Sequence, residues 1–209
     1  MRACSLSSMT ISMFKLLSVT NRRLCRGDFS QRTGEIARAG ADGIILREKD
    51  LEEGAYEALS REILRSCGDK LILHSFPETA ERLNLLRLHL PLPVLRAMPV
   101  RQREAFVTLG ASCHSLNDVQ EAEELGCTYV TLGHIFATDC KKGLPPRGLD
   151  LLEEAARNTR LPVYAIGGIG RDNIRLTREA GASGACIMSG LMRCENPREE
   201  LDALRNALK

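Results

Sequence analysis

The chain has 209 residues, of which 44% are hydrophobic and 27% charged, the mixture of an ordinary globular protein. No apolar stretch approaches the roughly 20 residues of a membrane-spanning helix, and no signal-peptide core begins the chain, so a cytoplasmic protein is expected. A net charge of +2 and the absence of tryptophan argue against a generic nucleic-acid binder.

The eight cysteines show neither a CxxC pair nor zinc-finger spacing. We therefore interpret them as reduced thiols of a cytosolic protein rather than a disulfide framework.

After a loose leader, residues 1–12, short β-type segments alternate with helical patterns along the chain. The strands are rich in Val, Ile and Leu, as expected for parallel strands covered on both faces. We predict strands at 15–20, 43–47, 70–74, 87–90, 106–111, 128–133, 162–167 and 184–189. Helices are predicted at 30–39, 51–66, 116–125, 149–158, 171–180 and 197–208, with short helices between strands three and five. The expected helix starts are Asp28, Ser115, Asp150 and Asn196, and the expected helix ends are Gly40, Gly126 and Gly181.

The sequences AGADGII, LGCTYVT and AGASGAC form a weak internal repeat, in which a helix stops at glycine and an apolar strand begins. Three such junctions indicate a serial β/α array. Eight strands in about 200 residues favour an α/β protein with a closed (β/α)8 barrel as a single domain, residues 13–209. An open, doubly wound sheet is the alternative.

In such a barrel, function gathers at the carboxyl ends of the strands. Strand two ends in Arg47-Glu48-Lys49, where alternation turns Arg47 and Lys49 to the same side. The two cations suit an anionic group, and the alternative is a surface ion pair with Glu48.

All four histidines of the chain, His74, His89, His114 and His134, are expected at strand ends. Imidazole near the rim is a natural general acid or base. A metal site is conceivable, but the rim has few carboxylates and no metal-ligand spacing.

Glycine-rich turns follow strands seven and eight, at Gly168 and at Gly190. Loops at these two positions are the usual phosphate site of (β/α)8 barrels. The loop of residues 137–143 could close over the same phosphate. The alternative is that the glycines only satisfy tight turns.

Five segments together resemble one family: LREKD, GASCHS, GHIFATDCKKG, PVYAIGGI and IMSG. Between Arg47 and Gly190 they are similar, in order and spacing, to the thiamine-phosphate synthase superfamily. GHIFATDCKKG and the histidine of GASCHS most resemble its TenI branch, the thiazole tautomerases. The resemblance implies a (β/α)8 barrel that aromatises a carboxylated dihydrothiazole phosphate on the route to thiamine.

The resemblance also implies roles for individual residues. His114 would be the acid/base, with His134 as a second candidate, and Arg47 and Lys49 would face the carboxylate. The remaining substrate-binding residues would be Thr138, Asp139, Cys140, Lys141, Gly168, Met188, Ser189 and Gly190. The reaction needs no cofactor.

The chain departs from the synthase branch at three places. Ile45 stands where synthases have Gln, His74-Ser75-Phe76 replaces their Asn-Asp-Arg, and residues 90–94 lack their magnesium-binding Asp. A pyrophosphate substrate needs a hard cation held by oxygen ligands, so we expect neither magnesium nor much synthase activity.

Two alternatives stay open: a thiamine-phosphate synthase, and a non-catalytic regulatory paralogue that binds a phosphate ligand. The expected partner is a small phosphorylated thiazole, without nucleic acid or membrane, and a homodimer is compatible with this interpretation.

Overall fold

A computed structural model describes residues 13–209; the expected leader, residues 1–12, lies outside them. Eight strands form a closed, fully parallel barrel in which each strand pairs with the next and β8 pairs with β1. The closed (β/α)8 barrel is confirmed, and the open sheet is excluded. The strands are β1 (Lys15–Val19), β2 (Gly43–Leu46), β3 (Leu71–His74), β4 (Arg87–Pro91), β5 (Thr108–Cys113), β6 (Tyr129–Gly133), β7 (Val163–Ile166) and β8 (Gly184–Ile187).

Helices surround the barrel, and those between β3 and β5 are short, as predicted. The helices are α1 (Phe29–Arg38), α2 (Glu53–Cys67), α3 (Pro77–Arg82), α4 (Leu92–Ala97), α5 (Val100–Glu104), α6 (Leu116–Glu124), α7 (Gly148–Asn158), α8 (Ile174–Glu179), α9 (Ser189–Arg193) and α10 (Pro197–Ala207). Among residues 13–209, no helix combines the length and the apolar character needed to cross a membrane.

Strand alternation divides the apolar residues into two cores. Side chains such as Leu16 and Ile44 pack outward against the helices. Side chains such as Leu17, Ile45 and Tyr129 form a smaller cluster inside the barrel. The inner cluster closes the barrel below the strand ends, so ligands have room only above it.

Three predicted helix starts are confirmed by side-chain caps. Asp28 accepts a hydrogen bond from the N–H of Gln31 (2.6 Å), Ser115 caps α6, and Asn196 caps α10. The start at Asp150 is wrong, because α7 begins two residues earlier, at Gly148.

The three predicted helix-ending glycines are confirmed. Gly40, Gly126 and Gly181 have φ of +102°, +85° and +88°, the left-handed conformation that ends a helix before a strand.

Other boundaries differ from the prediction by a few residues. β5 runs from Thr108 to Cys113 rather than over 106–111, because its pairing with β4 begins only when the Thr108 N–H bonds to the Leu86 carbonyl. β8 ends at Ile187, and Ser189 already starts α9. The predicted helix 171–180 is shorter, Ile174–Glu179, since residues 171–173 form a turn.

The cysteines of the described chain carry no disulfide. All seven in residues 13–209 are free, and Cys67, Cys113, Cys127 and Cys186 are buried. The reduced state of the thiols stays a prediction, and the eighth cysteine, Cys4, lies outside the described residues.

Candidate active site

The carboxyl ends of the strands open into a cavity of about 1220 Å³. Nearly all site residues expected from the sequence meet there. They are Arg47, Lys49, His114, His134, Thr138, Asp139, Cys140, Lys141, Gly168, Met188 and Ser189. Gly190, the residue after Ser189 in α9, does not line the cavity.

One side of the cavity is cationic. Arg47 and Lys49 line it, and Glu48 between them turns away and is buried. Glu48 accepts hydrogen bonds from Thr20 Oγ1 (2.7 Å) and from the Arg22 N–H (3.1 Å). Glu48 therefore does not form the ion pair with Arg47 or Lys49 that the sequence allowed. It binds instead to the loop that follows β1.

The two cations interact unfavourably with their surroundings. Burial lowers the pKa of Arg47, and the charge of Arg47, followed by burial and Lys141, lowers the pKa of Lys49. A bound anion would relieve both effects. Lys141, on the loop after β6, lines the same cavity as Lys49.

His114 follows β5 at the mouth of the cavity and is exposed. Its backbone N–H donates to Asp118 Oδ2 (2.7 Å), and its Nδ1 lies 2.6 Å from the carbonyl oxygen of Gly133. Because a carbonyl only accepts, Nδ1 carries the hydrogen. In the neutral ring the lone pair is then on Nε2, as a general base requires.

His134 directly follows β6 and is 8% exposed. Its Nε2 lies 3.3 Å from the carbonyl oxygen of Leu144 and donates to it, and Nδ1 has no hydrogen-bond partner among residues 13–209. His134 therefore remains a second acid/base candidate.

His89 is not at a strand end, contrary to the prediction, but inside β4 and 2% exposed. Its Nδ1 lies 2.9 Å from Tyr129 Oη and its Nε2 2.9 Å from Ser112 Oγ. Burial lowers the pKa of His89 to about 3, so the ring is neutral. It supports the cavity floor and does not exchange protons with a ligand.

His74 ends β3, as predicted, and its side chain is 4% exposed. Its ring stacks on His89 with 5.8 Å between the centroids. Burial, together with the charges of Arg47 and Lys49, holds the pKa of His74 well below its usual value. This neutral floor of His74, His89 and Ser112 was not visible in the sequence, because strand pairing brings its members together.

The glycines after β7 permit close packing of two loops. Gly167 has φ of +100°, and a Cβ there would lie 2.3 Å from His134 Cβ. Gly168 has φ of +67°, and a Cβ there would lie 2.4 Å from the Ala137 carbonyl oxygen. Both glycines let the β7 loop lie against the β6 loop at the cavity wall.

The donors around the cavity do not fit a magnesium ion. Three carboxylates line it: Asp118 in the first turn of α6, Asp139 in the loop after β6 and Asp172 in the loop after β7. The ends of β3 and β4 contribute His74, Leu92 and Pro93 instead. Residues 13–209 contain no group of three or more His, Cys, Asp or Glu that could hold a metal.

Comparison with known proteins identifies the family. The family model described as thiamine monophosphate synthase matches residues 16–191. The chain belongs to this family. Its members act in thiamine biosynthesis, so the resemblance found in the sequence is confirmed at the level of the superfamily.

Relatives of this family cover most of the chain. The thiamine-phosphate synthase of Syntrophomonas wolfei is 28% identical over 94% of this chain and 97% of its own. That of Roseiflexus sp. strain RS-1 is 33% identical over 80% of this chain and 73% of its own. The solved structure of thiamine phosphate pyrophosphorylase from Pyrococcus furiosus superposes with a TM-score of 0.80 at 25% identity, covering 95% and 96% of the two chains.

Proposed function

We propose that this member of the family is a thiazole tautomerase, which aromatises a carboxylated dihydrothiazole phosphate without a metal. The observation that carries the proposal is the contact of His114 Nδ1 with the Gly133 carbonyl oxygen, which assigns the hydrogen to Nδ1 and the lone pair to Nε2 at the mouth of a cavity lined by Arg47 and Lys49. The ends of this cavity differ in chemistry, and each suits one part of that substrate.

The carboxylate is assigned to the cationic side. Arg47 and Lys49 attract it, and its binding offsets the repulsion between them. The phosphate is assigned to the ends of β7 and β8, between the turn at Gly168 and Met188-Ser189, which line the cavity. The loop of Thr138, Asp139, Cys140 and Lys141 would cover it.

The reaction moves one proton. A base takes the proton from C2 beside the carboxylate, the electron pair of that bond enters the ring, and the exocyclic double bond accepts a proton to give the aromatic thiazole. His114 Nε2 would take and return the proton, and His134 is the second candidate. Aromaticity drives the change, so the protein has to hold the ligand and place one imidazole.

The second candidate function is thiamine-phosphate synthase, and the names of the relatives favour it. The absence of a suitable carboxylate pair at the ends of β3 and β4 speaks against it, because the leaving pyrophosphate would have only Arg47 and Lys49 as counter-charges. A non-catalytic binding protein would use the same cavity without needing the free Nε2 of His114.

One experiment separates the three functions. The purified protein is mixed with the carboxylated dihydrothiazole phosphate, and the rise of thiazole absorbance is compared with the spontaneous rate. A parallel reaction contains a pyrimidine pyrophosphate and thiazole phosphate with Mg²⁺. Acceleration in the first reaction alone supports the tautomerase, turnover in the second alone supports the synthase, and binding without turnover in either supports the regulatory protein.

A further inference from the structure

His74 occupies a fixed position at the end of β3. Its backbone N–H donates to Tyr56 Oη (2.7 Å), and Tyr56 Oη donates to the carbonyl oxygen of Leu46 at the end of β2 (2.6 Å). Tyr56 is fully buried. Because Leu46 pairs with Leu73, the residues that follow them, Arg47 and His74, come at neighbouring strand ends, and both line the cavity.

Ser75 fixes the orientation of the ring. Its Oγ lies 2.6 Å from His74 Nδ1, and its backbone N–H donates to the His89 carbonyl oxygen (3.2 Å). Ser75 has φ of +70°, an unfavourable conformation for a residue with a side chain. Strained backbone of this kind persists where the surrounding structure enforces it, and it concentrates at functional sites.

His74 Nε2 is the ring nitrogen that remains. It has no hydrogen-bond partner among residues 13–209, although the side chain is more than nine-tenths buried and lines the cavity. The charges of Arg47 and Lys49 disfavour protonation of the ring. When the Ser75 hydroxyl donates to Nδ1, the hydrogen of the neutral ring is on Nε2.

We propose that His74 is a substrate-binding residue whose Nε2–H donates to the ligand carboxylate that Arg47 and Lys49 attract. This inference rests on the proposed function and deepens it. An uncharged donor adds a directional hydrogen bond without adding a third positive charge to the two that already repel each other. Ser75 is then the positioning residue that keeps the donor on the correct nitrogen.

The test measures binding of two probes by titration calorimetry: the carboxylated thiazole phosphate, and the same thiazole phosphate without the carboxylate. For His74→Phe, which keeps a planar ring and removes the donor, we expect about ten-fold weaker binding of the carboxylated probe, since hydrogen bonds to charged groups have this strength. Binding of the second probe should be unchanged, which also shows that the cavity is intact.

Two further variants keep the test independent of the folding of His74→Phe. His74→Gln, whose amide can reach a similar position, should recover most of the affinity for the carboxylated probe. Ser75→Ala should weaken binding of the carboxylated probe selectively by a smaller factor. In turnover, His74→Phe should raise KM about ten-fold with a much smaller change in kcat.

The outcomes separate this inference from the proposed function. If the wild-type protein neither prefers the carboxylated probe nor accelerates aromatisation, the proposed function fails. If it does both, but His74→Phe weakens the two probes equally or not at all, the role of His74 is refuted and the function stands.

Discussion

The floor and the mouth of the cavity each carry two histidines, and the two pairs differ in what their rings contact. On the floor, His74 and His89 bond to hydroxyl groups, of Ser75 and of Tyr129 and Ser112. At the mouth, His114 and His134 bond to backbone carbonyls, of Gly133 and Leu144.

The difference decides which ring can do proton chemistry. Hydroxyl groups pair with both ring nitrogens of His89 and with Nδ1 of His74, and burial keeps both floor rings neutral. A carbonyl only accepts, so each mouth ring has one defined nitrogen left for a ligand. The same side chain thus supports the cavity in one region and presents a proton acceptor in the other.

The largest expected effect is on kcat, and it is compared between a histidine at the mouth and a histidine on the floor. His114→Gln should lower kcat for aromatisation by about 10²–10⁴-fold, the usual contribution of a general acid/base. His89→Gln, on the floor, should cost far less per folded molecule, and phosphate affinity should barely change in either variant. Both are compared by absorbance at saturating substrate.

His134→Gln is the matched control at the mouth. A large loss there, with His114→Gln fully active, would transfer the proton step to His134 Nδ1. Equal losses in both would mean that the two imidazoles share the proton transfers.

Because of the buried His89 on the floor, the free energy of unfolding should depend on pH. Burial lowers the pKa of His89 to about 3, whereas an unfolded histidine titrates near 6.5. The unfolded chain therefore binds more protons between these values, and the free energy of unfolding falls as the pH decreases from 6.5 toward 3. This histidine alone contributes about 1.4 kcal/mol per pH unit, or about 2 kcal/mol by pH 5.

Urea unfolding at pH 7 and pH 5 measures this slope. The His89→Gln variant should lose less stability than the wild-type protein between the two pH values, although it is less stable at pH 7. Parallel slopes for the two proteins would mean that His89 is accessible to protons in the folded state.

One methyl group added to the cavity wall at Gly168 should lower both stability and substrate affinity. Gly168→Ala introduces a Cβ at φ of +67° and 2.4 Å from the Ala137 carbonyl oxygen, so it should destabilise the protein by about 1–3 kcal/mol and raise KM. Gly170→Ala is the matched control, because it has no atom within 4 Å and no positive φ. Equal unfolding midpoints in urea would show that the loop adapts.

The sequence predicted the barrel because the evidence is local: apolar strands, capping residues such as Asp28, and glycines such as Gly40 that end helices. It predicted Arg47 and Lys49 on one face because alternation is a local rule. It placed His89 at a strand end and gave His74 no role, because their environment depends on register. His89 meets Tyr129 and Ser112 only through the pairing of β4, β5 and β6.

The smallest expected effect concerns metal. Aromatisation should proceed at the same rate in EDTA and in added Mg²⁺, because Asp118 in α6 and Asp139 and Asp172 on two loops belong to no metal-holding group among residues 13–209. In the proposed mechanism an imidazole would carry the proton between two carbon atoms, and no pyrophosphate would have to be neutralised. The rates are measured on the same preparation before and after chelation, with the two-substrate synthase reaction run alongside. Aromatisation that stops in EDTA and returns with Mg²⁺ would refute the metal-free mechanism. Synthase turnover that depends on Mg²⁺ would restore the second candidate function.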